Sequence, residues 1–140
     1  MKTINLAFAT AATLVLAGCA TGPSAEQQAA MADDARKTAG SLIQQLGEHW
    51  SFLGLLPPTE HAAFFHVCDV LALPSINSTE SFGMVQVEAM TCGTPAVVSD
   101  MPGVRCAVRQ TGMGLAVPPR NSQALAQAII EVLDHPEKFA

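Results

Sequence analysis

Glu80 and Glu88 stand eight positions apart, with Ser81-Phe82-Gly83-Met84 following directly on the first. A carboxylate can accept two hydrogen bonds from a cis-diol, so Glu88, in the first turns of an expected helix, suits a grip on the two hydroxyls of a ribose. The stretch Ser81 to Met84 opens that helix. A helix start leaves backbone N–H groups unpaired with the positive end of the dipole behind them, which favours phosphate oxygens. Gly83 would let a ligand come close to the backbone, where a side chain would block it. A plainer reading of the pair stays open: Glu80 as a helix-start carboxylate that complements the dipole, and Glu88 as a solvated helix residue.

Other reactive residue types form no comparable group. His61, His66 and His135 fall on helical or terminal segments with no matching nucleophile, and read as surface or packing residues. The four cysteines, Cys19, Cys68, Cys92 and Cys106, are spaced too widely for paired zinc ligands or a redox motif, so no metal is expected. Cys68, Cys92 and Cys106 read as small buried thiols rather than nucleophiles, since no base or cationic cluster adjoins them. Asn77-Ser78-Thr79 matches a glycosylation acceptor pattern and reads here as loop polarity. With a formal charge of -5 the chain lacks the cationic field a nucleic acid needs. Tyrosine is absent and tryptophan occurs once, at Trp50, so sugar recognition through an aromatic platform is not expected either.

The elements that would position the glutamates lie between about His49 and Ala140. Short apolar runs alternate there with helical patterns. Strands are expected at Ser51 to Leu53, Val70 to Leu73, Ala96 to Val98 and Gly114 to Val117. Helices are expected at Thr59 to Cys68, Gly83 to Cys92, Val104 to Arg109 and Ser122 to Leu133. Strands that are apolar throughout point to a parallel sheet covered on both faces, an α/β Rossmann-like fold preceded by N-terminal helices. Pro74, Gly93, Pro95, Pro102, Gly112 and Pro118 punctuate the element ends. In such sheets ligands sit beyond the carboxyl ends of the strands, which directs attention to the loops starting at Pro74, Ser99 and Pro118.

The N-terminal third reads differently. Lys2, the uncharged run from Ile4 to Leu16 and the string Leu16-Ala17-Gly18-Cys19 resemble the signal peptide and lipobox of bacterial lipoproteins, with Cys19 as the lipidated residue. That reading keeps residues 1–19 out of the fold and predicts membrane anchoring through Cys19. Residues 20–48 follow as a tether and an amphipathic helix from Ala25 to Leu46, with Ser24 as its N-cap and Ala35, Ala39, Leu42, Ile43 and Leu46 on one face.

The string PSINSTESFGMVQVEAMTCGTPAVVSDMPG, from Pro74 to Gly103, together with CDVLALPS before it and GLAVPP after it, resembles the glycosyltransferases of family 4. These are retaining enzymes built from two Rossmann domains, the GT-B type. The resemblance covers residues 49–140 and implies a partial C-terminal domain that binds a nucleotide-diphosphate sugar. In it Glu88 would hold the ribose, Glu80 the hydroxyls of the donor sugar, and Ser81, Phe82, Gly83 and Met84 the diphosphate and sugar; no other cofactor is implied. The family's acceptor-binding domain and the basic pair that neutralises the leaving diphosphate have no counterpart in this sequence. Among Arg105, Arg109 and Arg120, Arg105 stands nearest to that role. Transfer by this chain alone is therefore not expected, and the acceptor is not named by the sequence. Donors of this kind are used in the cytoplasm, whereas a lipoprotein signal exports its passenger, so the two parts read as a fusion with a seam near Gly47 to Trp50. The alternative is a membrane-anchored, non-catalytic binding or interaction module.

Overall fold

The computed structural model describes residues 6–8, 24–49, 51, 53, 56–76 and 80–139. Four strands form one sheet in the order β1-β2-β3-β4: β1 (Leu6–Phe8), β2 (Val70–Leu73), β3 (Ala96–Ser99) and β4 (Gly114–Val117). All three pairings are parallel, with Leu6 opposite Val70, Leu71 opposite Ala96, and Ala96 opposite Gly114. Parallel neighbours need a crossover between them. Helix α3 (Met84–Thr91) lies in the chain between β2 and β3, and α4 (Arg105–Thr111) between β3 and β4. Before β2 come α1 (Ala25–Leu46) and α2 (Pro58–Val67), and after β4 comes α5 (Ser122–Asp134).

Every residue of β2 and β3 is buried, as expected of strands covered on both faces. Alternation along the strands sorts their side chains into two cores. Leu71, Leu73, Ala96 and Val98 meet Phe65 of α2, Val85, Ala89 and Met90 of α3, and Ala107 and Val108 of α4. On the other face Val70, Val97 and Val117 meet Ala128 and Val132 of α5. Burying a leucine or valine of this kind contributes about 1.5–3 kcal/mol, so β2 and β3 are the stable centre. Both edges are weaker: β4 is half-buried over most of its length, and β1 has three residues.

The elements from Pro58 onward follow the sequence expectation to within two residues, and α1 has the expected bounds. Two corrections concern the sheet's first edge. Ser51 to Leu53 is not a strand: Ser51 and Leu53 have no regular structure, and Leu53 is exposed. The place beside β2 is taken by Leu6–Phe8, residues that the leader reading kept out of the fold. An uncharged run of Ala, Leu and Phe has no period, and so reads equally as a leader or as a strand. Cys19, its lipobox and Trp50 lie outside the described residues, as does Asn77-Ser78-Thr79. The described side chains of α1, Leu46 included, are exposed. Among the described residues no helix is long and apolar enough to cross a membrane.

Candidate functional site

The loop from β2 to α3 reverses direction at Gly83, whose φ of +75° lies in the left-handed region. A Cβ there would stand 2.6 Å from Leu73 Cδ2 and 3.0 Å from Gln86 Nε2. The glycine is thus required by the protein's own packing, before any ligand is considered. Glu80 is buried, and its Oε1 accepts a hydrogen bond from the Gly83 N–H at 2.9 Å. This is the helix-start role that stood beside the sugar-binding one in the sequence, and it corrects one detail: the Gly83 N–H is not available to a ligand while Glu80 holds it. The free donors lie further on. Among the described residues nothing accepts from the N–H groups of Met84 or Val85, as the first turn of a helix dictates.

Glu88 lies one turn into α3, with two fifths of its side chain exposed, on the side facing α2. Its Oε2 is 3.9 Å from His61 Nδ1, and the His61 ring rests on Phe65 with centroids 4.7 Å apart. The two glutamates therefore occupy different settings, one folded under the helix start and the other open to solvent. Among the described residues no hydrogen bond or ion pair joins them. Ser81, Phe82 and Met84 are exposed around the helix start.

Two residues that sequence reasoning passed over hold this loop in place. Gln86 is fully buried, and its Nε2 donates to Phe82 O at 2.6 Å and to Val104 O at 2.8 Å, tying the start of α3 to the start of α4. Gly103 packs so closely on the loop that a Cβ there would fall 1.5 Å from Ser81 O. Pro102-Gly103 signals a turn in the sequence, but a turn glycine and a close-approach glycine look the same there.

The arginines are placed otherwise than expected. Arg105 Nη1 and Arg109 Nη2 both donate to Asp100 Oδ1 at 3.1 Å, so the charge that stood nearest to a diphosphate role is already paired. Arg120 makes no ion pair among the described residues. Of the remaining groups, His66 Nδ1 lies 3.3 Å from Cys92 O and His135 lies 3.6 Å from Glu137. The Cys68 thiol donates to Phe64 O, and burial, with the Asp69 charge adding, pushes it up to about 11. The loops at Pro74, Ser99 and Pro118 do converge, on one cavity of about 230 Å³. That cavity is lined from the α5 side and includes none of Glu80 to Met84 nor Glu88.

Comparison with known proteins decides the family. The model of the family described as "Glycosyl transferases group 1" matches residues 7–140. The chain belongs to the group 1 glycosyl transferases. The match begins within β1 and runs past the seam expected near Gly47 to Trp50. Among similar proteins, a phosphatidyl-myo-inositol mannosyltransferase of Mycobacterium leprae is 42% identical over 98 residues, which are 70% of this chain and 25% of that protein. A glycogen synthase of Mycobacterium tuberculosis is 39% identical over 100 residues, 68% of this chain and 24% of that protein. Among solved structures, a sucrose-phosphate synthase of Thermosynechococcus elongatus superposes with a TM-score of 0.63 at 34% identity, covering 76% of this chain and 27% of its own. HepE of Anabaena, solved in complex with UDP, gives 0.58 at 32% identity, covering 76% and 29%. These likenesses establish the Rossmann-like GT-B fold. The chain spans about a quarter of the length of these relatives.

Proposed function

We propose that this chain binds the nucleotide end of a nucleotide-diphosphate sugar, the donor for retaining glycosyl transfer. The observation that carries the reading is the start of α3: among the described residues the Met84 and Val85 N–H groups lack acceptors, and Glu88 stands half-open one turn beyond them. A diphosphate at that helix end would complete two donors and meet the positive end of the dipole. Glu88 would accept from both ribose hydroxyls, turning from His61 to do so. Any hold of Glu80 on sugar hydroxyls falls to its second oxygen, because Oε1 fixes Gly83. The UDP bound by HepE supports a nucleotide ligand for this fold. Lipidation at Cys19 is a separate proposal, carried by the leader string alone.

Titration calorimetry with UDP and with GDP tests the site. Glu88→Gln offers one acceptor oxygen where the carboxylate offers two, and the nucleotide should bind more weakly by about 1.5–3 kcal/mol, the range for hydrogen bonds to a charged group. Unchanged affinity would remove Glu88 from the site.

A further inference from the structure

The cavity where the loops after β2, β3 and β4 meet lies on the α5 face of the sheet, across from α3, and the donor reading makes no use of it. Ser99 ends β3 there. Alternation puts its side chain on the face of Val97, towards α5, and it lines the cavity with Val117, Asn121 and Ser122. Ser99 is 2% exposed, yet its hydroxyl has no hydrogen-bond partner among the described residues. A buried hydroxyl facing a cavity without a partner is a group whose partner comes from elsewhere.

The other walls carry donors and a cation. Asn121 Oδ1 caps α5 by accepting from the Ala124 N–H at 3.0 Å, and Leu125 N–H bonds Asn121 O. The Ser122 and Gln123 N–H groups remain without acceptors among the described residues, at the start of a helix of 13 residues. Arg120 lines the same cavity, exposed and without an ion pair among the described residues. Its φ of +61° is the one positive value among the described non-glycine residues, a conformation with a cost of order 1 kcal/mol or more. No acidic residue is among those lining the cavity, and Asp100, which follows Ser99, is held by Arg105 and Arg109.

We propose that this cavity is a phosphate-monoester site, with Arg120 as its cation, the Ser99 hydroxyl as a neutral donor and the Ser122 and Gln123 N–H groups completing the cradle. A guanidinium and free helix-start amides both suit a compact dianion. The small apolar walls at Pro74 and Pro118 leave room for a neutral ester body. The proposal stands whether or not α3 binds a nucleotide.

The test is residue-resolved NMR of the full 140-residue chain titrated with inorganic phosphate. Shifts at Arg120, Ser122 and Gln123 are expected, and shifts confined to Met84, Val85 and their neighbours would overturn the proposal. Arg120→Gly relieves the left-handed strain, so it should fold at least as well while binding phosphate about tenfold or more weakly. Ser99→Ala removes a buried unpaired hydroxyl and should keep its stability while weakening phosphate about three- to tenfold. Equal affinity in both variants would also overturn the proposal. Glycerol 3-phosphate and vesicles containing phosphatidic acid separate the sources of the ester. Tighter binding of the first assigns a soluble ligand, and vesicle retention lost in Arg120→Gly assigns a lipid headgroup.

Discussion

Glu80 shows how one side chain can be legible in type while the sequence leaves its role open between two. Its spacing to Glu88 and its place before a helix were readable, but whether its carboxylate turns outward to a ligand or inward to Gly83 depends on a loop conformation that spacing does not encode. The inward bond makes a prediction. Glu80→Ala should leave the Gly83 N–H without its acceptor and cost about 0.5–2 kcal/mol, whereas Glu80→Gln keeps an acceptor oxygen and should cost less. Chemical denaturation of the two variants compares them directly, and an equal loss in both would count against the capping role. Cys68 supplies a second expectation. Its pKa of about 11 sits above the ordinary value of 9.0, so the folded chain holds that proton more tightly than the unfolded one. The stabilising effect is fully present below pH 9 and is lost as the pH climbs through 9 to about 11. At pH 8 alkylation should reach Cys92 and Cys106, which are partly exposed, well before Cys68; mass spectrometry of the labelled peptides reads the order.

At the scale of elements, the periodic stretches could be read and the fixings between them could not. Apolar runs such as Val70 to Leu73 and Gly114 to Val117 announce themselves because both faces of the sheet are covered. Gln86 looked like one polar residue on a helix. Its two bonds to Phe82 and Val104 join segments whose approach exists only in the folded chain, and its Oε1 stays buried with no partner among the described residues. Gln86→Leu should therefore cost about 1–3 kcal/mol through the stranded carbonyls. Gln86→Glu should cost more, since an ionised carboxylate has no donor to offer those two oxygens. Urea unfolding ranks the pair, and a milder glutamate would show that the amide does not bridge the helices.

For the molecule as a whole, the α/β fold and the loop that carries the candidate site were legible from Pro58 onward, because strand and helix patterns alternate there without interruption. The sheet's first edge was not, since Leu6–Phe8 sits in a run with two readings. Activity is the remaining question at this scale. Positioning an acceptor hydroxyl against the sugar supplies about 7–11 kcal/mol of barrier reduction. The chain spans about a quarter of the length of its relatives, and by itself it is expected to transfer no sugar above background. Radiolabelled nucleotide sugars with a cell-envelope extract, run beside a fusion to an acceptor-binding domain of the family, give the comparison. Transfer by the unfused chain would require an acceptor site within these residues or across a pair of chains. β1 pairs with the strand that follows it only after α1 and α2, the longest jump in sequence of the three pairings, and contacts across long loops form late. Until that pairing forms, β2 is a bare edge open to pairing with another chain, so the three residues Leu6–Phe8 act as the guard of the sheet's adhesive rim.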